Sequence, residues 1–399
     1  MTAFRRPMIA RDTRERGRVS TPLELLFDLT FVIAVSLLVN EFGDAIVAGD
    51  GLRAIGPFLM TFFAIWWAWD QFAWLASAYD TDDVPYRLLT MVQMAGVLVL
   101  AAGVPQAFEA ENWVPVTIGY AIMRIGLLAS ISRAAMTDPI ARRYVIGIAA
   151  AQVLWLLRLF LPTEWMVPSF LVVVLAELAV PVWADRAGRG GIRFHPHHIT
   201  ERHGLFTLIL LGESVYAASV GFRDALAEVD LGVPLVVVAL AGLVILFGLW
   251  WVYFSEPAAE GLESRRSRSF LWAYGHFFIF GGLAAVGSGL EAVIAEVTAR
   301  SGAGAMAASL ALAIPLAIFV VALWAVHAPL LGHGWGHAAT SGAAALLLAG
   351  SPLLTPVVGV LGVTLVVAAV VVAVVVVMLV RNARASTRTV GDTLSGEVG

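Results

Sequence analysis

Cysteine is absent from the 399 residues, and charge is scarce, with 14% of positions Asp, Glu, Lys or Arg. Soluble domains carry roughly 25%. The first absence excludes a disulfide scaffold. The second argues against a soluble chain, which at this length would also divide into domains joined by polar linkers. A net charge of −4 with no separate basic module excludes a nucleic-acid binder. Gly-x-Ser-x-Gly, a phosphate-cradling glycine loop and a protease-type pair of intramembrane aspartates are missing too. The expectation is therefore no enzyme, no cofactor and no metal site.

What is present is apolar: 60% of the residues are hydrophobic. Four stretches hold no charge at all, 88–108, 231–255, 301–326 and 357–380. As helices, each crosses a hydrocarbon core of roughly 30 Å. The reading is an all-α, polytopic integral membrane protein in a lipid bilayer. Twelve helices are predicted at 22–46, 53–78, 86–108, 113–135, 141–161, 165–184, 198–221, 231–255, 269–295, 304–328, 337–353 and 356–380. The eleventh is the weakest, because its Gly, Ala and Ser content and bracketing Pro352 and Pro356 also suit a re-entrant segment. The N-terminus is not expected to be a signal peptide, since Arg5, Arg6, Arg11, Arg14, Arg16 and Arg18 lead into a span without a short apolar region and cleavage site.

All 25 basic residues are arginine. With both ends cytoplasmic, twenty fall in inside segments, three outside (Arg53, Arg223, Arg300) and two within spans (Arg124, Arg158). That asymmetry orients the chain in a bacterial cytoplasmic membrane by the positive-inside rule. The organisation expected is a basic disordered tail (1–19), a first six-helix half (20–185), an Arg/His-rich linker (186–197), a second half (198–381) and a disordered tail (382–399).

The halves echo each other. A shift of 177 lays Glu24 on Glu201 and Thr30 on Thr207, and a shift of 184 lays Trp66-Trp67 on Trp250-Trp251. An even number of spans per half makes this a parallel 6+6 pseudo-repeat, with shared membrane composition as the plainer explanation.

A charge at the bilayer centre costs about 2.5–3.5 kcal/mol on insertion scales. Arg124 and Arg158 read as structural charges that pair between helices, and Glu177 as a structural charge near a span end. Glu24 and Asp28, four residues apart, share one helix face and repel unless a cation, a proton or an arginine lies between them. They mark either a proton or cation site or a helix start at the interface. Asp70 sits among tryptophans, as an aromatic belt would also place it. Glu201, His203 and the deeper Glu213 form the matching set on the seventh helix. The run His195-Pro-His-His-Ile-Thr-Glu-Arg-His203 is rich in ligand types but matches no standard metal spacing, and Pro196 is expected to break the local helix. Imidazoles there suit a pH-responsive cluster.

Three segments carry a resemblance: Pro22-Leu-Glu-Leu-Leu-Phe-Asp-Leu-Thr-Phe-Val, then Tyr79-Asp-Thr-Asp-Asp with Arg87 and Met91, then His198-Ile-Thr-Glu-Arg-His-Gly-Leu-Phe-Thr-Leu-Ile-Leu-Leu-Gly-Glu213-Ser. In order and spacing they resemble the bacterial low temperature requirement protein A family. The resemblance implies a multi-pass cytoplasmic-membrane protein and carries no agreed reaction or substrate. The first helix is also similar to the opening helix of lysosomal-type potassium channels with a Phe-Ser-Asp signature. It departs from them in lacking a serine between Phe27 and Asp28, and Leu205 stands where Asp28 would repeat.

The function expected is movement of a small ion or solute, as a channel or a proton- or cation-coupled transporter. Helices one and seven would line its cavity. Glu24, Asp28, Asp70, Glu201, His203 and Glu213 are the site candidates. The alternative is a membrane sensor or scaffold in cold or envelope stress. The Gly- and Ala-rich later helices are compatible with either a monomer or an oligomer.

Overall fold

In lipid the apolar face of a helix points outward and its polar groups turn toward neighbouring helices, because no water is present to solvate them. The first helix, α1 (Pro22–Ala48), is built this way: Leu25, Leu26, Leu29 and Ile33 are exposed while Glu24, Phe27, Asp28 and Phe31 are buried. The computed structural model describes residues 4–10, 15, 18–188, 193–228, 232–256 and 258–396. Residues 1–3, 11–14 and 16–17 of the expected basic tail, 189–192 of the linker and 397–399 lie outside the described residues.

After α1 follow α2 (Gly51–Tyr79), α3 (Val84–Ala102), the short α4 (Val104–Glu109), α5 (Val114–Ala134), α6 (Pro139–Leu157) and α7 (Met166–Asp185). The rest is α8 (Pro196–Glu228), α9 (Val233–Phe254), α10 (Ala258–Ser264), α11 (Ser269–Val297), α12 (Ala305–Leu331), α13 (Trp335–Gly350) and α14 (Thr355–Gly396). No strand occurs among the described residues.

Among the described residues eleven stretches are long and apolar enough to cross a membrane, where twelve helices are predicted. The difference lies at the eleventh predicted helix. It exists as α13, whose 16 residues reach about 24 Å at 1.5 Å per residue, short of a full core. It runs through a 3-10 turn at Ser351–Leu354 into α14, so the two together make one apolar stretch, Trp335–Arg384. Two further boundaries differ from the sequence reading. The predicted helix 86–108 divides at Gly103, where Pro105 has no N–H to continue the ladder. Pro196 does not break the seventh predicted helix but occupies its first position, where a missing N–H costs nothing.

The centre of the bundle is α1, α8 and α11, running parallel. At one end Arg202 of α8 meets Glu24 and Asp28 of α1. At the other, Ser288 of α11 donates to the Val39 carbonyl at 2.7 Å, and Arg300 donates to the Gly221 carbonyl at 3.1 Å. Small residues permit this closeness. A Cβ on Gly289 would lie 2.4 Å from the Ala311 carbonyl oxygen of α12, and one on Gly119 of α5 would lie 2.3 Å from the Leu100 nitrogen of α3. The two tryptophan pairs aligned by the internal shift have different surroundings: Trp66 and Trp67 are buried, whereas Trp250 and Trp251 are exposed.

Candidate functional site

Glu24 owes its place to the start of α1. Thr21 caps the helix, its hydroxyl accepting from the Glu24 N–H at 3.3 Å while Glu24 Oε2 accepts from the Thr21 N–H at 2.7 Å. The other carboxylate oxygen is left for α8, where His198 Nε2 lies 3.0 Å away and Arg202 Nη1 3.2 Å. One turn on, Asp28 Oδ1 accepts from Arg202 Nη2 at 2.5 Å and from the Trp69 indole of α2 at 2.7 Å. Glu24, Asp28, His198, Arg202 and Trp69 are 0–2% exposed. The cation that the Glu24–Asp28 spacing requires is therefore Arg202, which also lies over the Phe72 ring at 5.8 Å. Two carboxylates against one guanidinium leave one negative charge, which a proton on His198 or on a carboxyl cancels.

Asp70 and His203 form the next layer. Asp70 Oδ1 accepts from the Trp74 indole at 3.1 Å, and His203 Nε2 stands 3.4 Å from the same oxygen. His203 Nδ1 lies 2.9 Å from the Ile199 carbonyl, which only accepts, so Nδ1 carries the ring hydrogen. Nε2 then presents a lone pair to Asp70. One further proton, on the imidazole or on the carboxyl, relieves that repulsion. His203 also touches His276 of α11, ring centroids 4.7 Å apart, and His276 accepts from or donates to Tyr253 at 3.2 Å and donates to the Trp272 carbonyl.

Asp70 borders a cavity of about 390 Å³ between α2, α5, α6, α7 and α11, lined among others by Trp67, Trp74, Tyr144, Phe270 and Tyr274. From Trp67 to Tyr79 the cavity follows α2 for about 18 Å at 1.5 Å per residue. Its rim carries Arg266 and Asp185. Glu201 and His327 border a second cavity, of about 440 Å³. Glu201 faces the N-terminal segment, accepting from the Ser20 N–H at 3.3 Å.

Glu213 is 4% exposed, near Ser36 of α1, but it stands eleven residues beyond Arg202, about 16 Å along α8. It belongs to neither layer. Arg124 and Glu177 form a separate buried ion pair at 2.8 Å, completed by hydrogen bonds from the Tyr120 hydroxyl and the Trp155 indole to Glu177. Arg124 also donates to Gln71 and to Tyr120. Arg158 meets no carboxylate among the described residues and donates to the Met166 carbonyl and Ser169. No group of three or more His, Cys, Asp or Glu side chains suited to a metal occurs among the described residues, the His195–His203 run included.

The residues that sequence reasoning passed over are Arg202 and His198, assigned to the arginine-rich side of the membrane, and Trp69. The signal was there: His198 and Arg202 are four apart, the same spacing as Glu24 and Asp28, so each pair shares one face of its helix.

Outside the spans, the Tyr79–Asp83 connection ties this end together. Asp83 caps α3 through the Tyr86 N–H at 3.0 Å, accepts from the Arg6 N–H at 2.8 Å and pairs with Arg133 of α5. Burial pushes its carboxyl up, but the Arg133 guanidinium and the two backbone donors outweigh burial and hold it at about 2.

Buried charges on parallel apolar helices, with lipid-facing surfaces of leucine and valine, define a multi-pass α-helical membrane protein. The chain belongs to the bacterial low temperature requirement A protein (LtrA) family, which matches residues 19–379. It is also similar to an uncharacterized protein of Rhizobium meliloti (strain 1021), 24% identical over 294 residues, 69% of each chain. The three motif segments of the sequence meet at one end of the bundle, supplying Glu24 and Asp28, Asp83, and His198 through His203.

Proposed function

We propose that the chain moves a small solute across the bacterial cytoplasmic membrane and exchanges a proton at Asp70 and His203 as it does so. The observation that carries this reading is the double role of Asp70: a carboxylate 2% exposed that faces an imidazole on one side and borders a cavity on the other. A solute in the cavity changes the electrostatics at Asp70 directly, and so changes where the shared proton resides. With the arginine-rich loops on the cytoplasmic side, the cavity opens to the cytoplasm. On this reading no chemistry of bond making is required.

The test is transport in liposomes carrying an internal pH dye, with outward gradients of amines, inorganic cations and neutral solutes applied in turn. The native protein should couple one class of solute to proton movement, and Asp70→Asn and His203→Gln should abolish the coupling. Proton movement no greater than in empty liposomes, across all classes, would refute the proposal.

A second reading, a membrane sensor or scaffold, is favoured by Glu24 and Asp28. They line neither cavity and are closed into contacts with Arg202, His198 and Trp69. On that reading the charges hold α1 against α8 and change partners when the membrane or the pH changes.

A further inference from the structure

The cavity at Asp70 has a composition that selects its occupant. Its floor holds a carboxylate, of which Oδ1 takes the Trp74 and His203 contacts while Oδ2 takes no hydrogen bond among the described residues. Among the described residues no arginine side chain pairs with Asp70: the buried guanidinium of Arg124 is engaged by Glu177, Gln71 and Tyr120, and that of Arg202 by Glu24 and Asp28. The walls carry the aromatic side chains of Trp67, Trp74, Tyr144, Phe270 and Tyr274. Two of the groups on the lining, the Trp67 indole N–H and the Gln71 amide N–H₂, have no hydrogen-bond partner among the described residues. The volume of about 390 Å³ falls within the roughly 300–1,000 Å³ of small-molecule sites.

A carboxylate in a cavity lined by aromatic side chains is hostile to an anion and well suited to a cation whose charge is spread over carbon. The quadrupole of each ring places negative potential on its face, and a desolvated cation within about 6 Å of several rings gains from each. A bare metal ion does not suit the same walls. It requires several oxygen ligands, and the oxygens nearest Asp70 along the lining are engaged elsewhere: the Gln71 carbonyl accepts from Arg124, and the Tyr274 and Tyr79 hydroxyls donate to the Leu178 carbonyl and to Asp138. At the rim, Arg266 donates to the Phe194 carbonyl at 2.6 Å and stacks over the Phe194 ring at 4.5 Å, so its charge is held at the entrance and away from the floor.

From this arrangement we infer that the cavity between α2, α5, α6, α7 and α11 binds a small organic cation, a quaternary or protonated amine with an apolar body, its charge against Asp70 and its carbon skeleton against the aromatic walls. The inference rests on the reading of this cavity as a solute site and names the class of solute.

Binding is measured by calorimetry on the purified native chain, with benzyltrimethylammonium as the probe and its neutral carbon isostere, neopentylbenzene, as the control. The cation should bind at least tenfold tighter than the isostere. Asp70→Asn, nearly isosteric, should lower cation affinity at least tenfold and leave the isostere unchanged. Phe270→Leu, which removes a π face at the half-buried end of the wall, should lower cation affinity several-fold and leave the isostere little changed. Equal affinity for the two probes, absence of cation binding, or unaltered cation affinity in both variants would overturn the inference. The native comparison stands even where a variant fails to fold. Because binding needs no flux, cation binding without proton coupling would contradict the transport proposal and leave this inference standing.

Discussion

Arg202 is the residue on which the end of the bundle depends. Its guanidinium is fully buried between Glu24 and Asp28, themselves 1–2% exposed. Arg202→Met keeps much of the side-chain volume and removes the charge, leaving two carboxylates four residues apart with His198 as their nearest titratable neighbour. Breaking a buried pair by removing one partner costs about 3–5 kcal/mol, because the remaining charge is neither solvated nor compensated. The cost belongs to the stranded carboxylates, not to the loss of arginine as such. Replacing all three, as Arg202→Met with Glu24→Gln and Asp28→Asn, should therefore recover most of the loss. The assay is thermal unfolding of the detergent-purified protein followed by tryptophan fluorescence. The control is Arg53→Met, since Arg53 and Asp50 are exposed and 3.9 Å apart, and such a pair contributes about 0–1 kcal/mol. The order of midpoints should be native and control highest, the triple variant close below, and the single variant well below. A single variant as stable as the control, or a triple variant less stable than the single, would refute the reasoning.

Two further predictions follow from packing and from the loop outside the spans. Gly289→Ala places a methyl 2.4 Å from the Ala311 carbonyl oxygen and Gly119→Ala places one 2.3 Å from the Leu100 nitrogen, both backbone atoms, so each should cost about 1–3 kcal/mol in the same unfolding assay. Gly56→Ala, with open space around it, should be neutral or slightly stabilising. The Asp83 carboxyl is depressed from 3.8 to about 2 in the folded chain, which at 1.36 kcal/mol per unit is about 2 kcal/mol. A depressed carboxyl stabilises above its unfolded value and loses that contribution as pH falls through the folded one. Asp83→Asn should thus be less stable than the native chain at neutral pH, with the gap narrowing from about pH 4 downward. A gap that stays constant with pH would contradict the assignment to Arg133 and the backbone donors.

The membrane class, the spans and the inward polar residues were legible because composition and run length reflect the solvent the helices face. Apolar length locates α1, α9, α11 and α12 closely. It fails at α13 because the same Ala, Gly and Leu content suits a full span or a short helix turned by Ser351–Leu354, and only packing against α12 and α14 decides. The site was half legible. Glu24 and Asp28 declared a need for a cation by their spacing, and the partner was Arg202 in the third motif. Its position beside the His-rich linker made it resemble a loop arginine counted for topology. Asp70 was visible as a charge among tryptophans, but its pairing with His203 joins helices 133 positions apart and no local pattern records it. The cavity beside it is a property of five helices together, and no single segment shows it.

The account turns on one proton at Asp70 and His203. Infrared difference spectroscopy of the purified protein at one fixed pH, with and without benzyltrimethylammonium, reads that proton directly. The account predicts a carboxyl difference signal on cation binding in the native chain that disappears in Asp70→Asn and is altered in His203→Gln. Cation-induced difference spectra of native protein and Asp70→Asn that superimpose would contradict it.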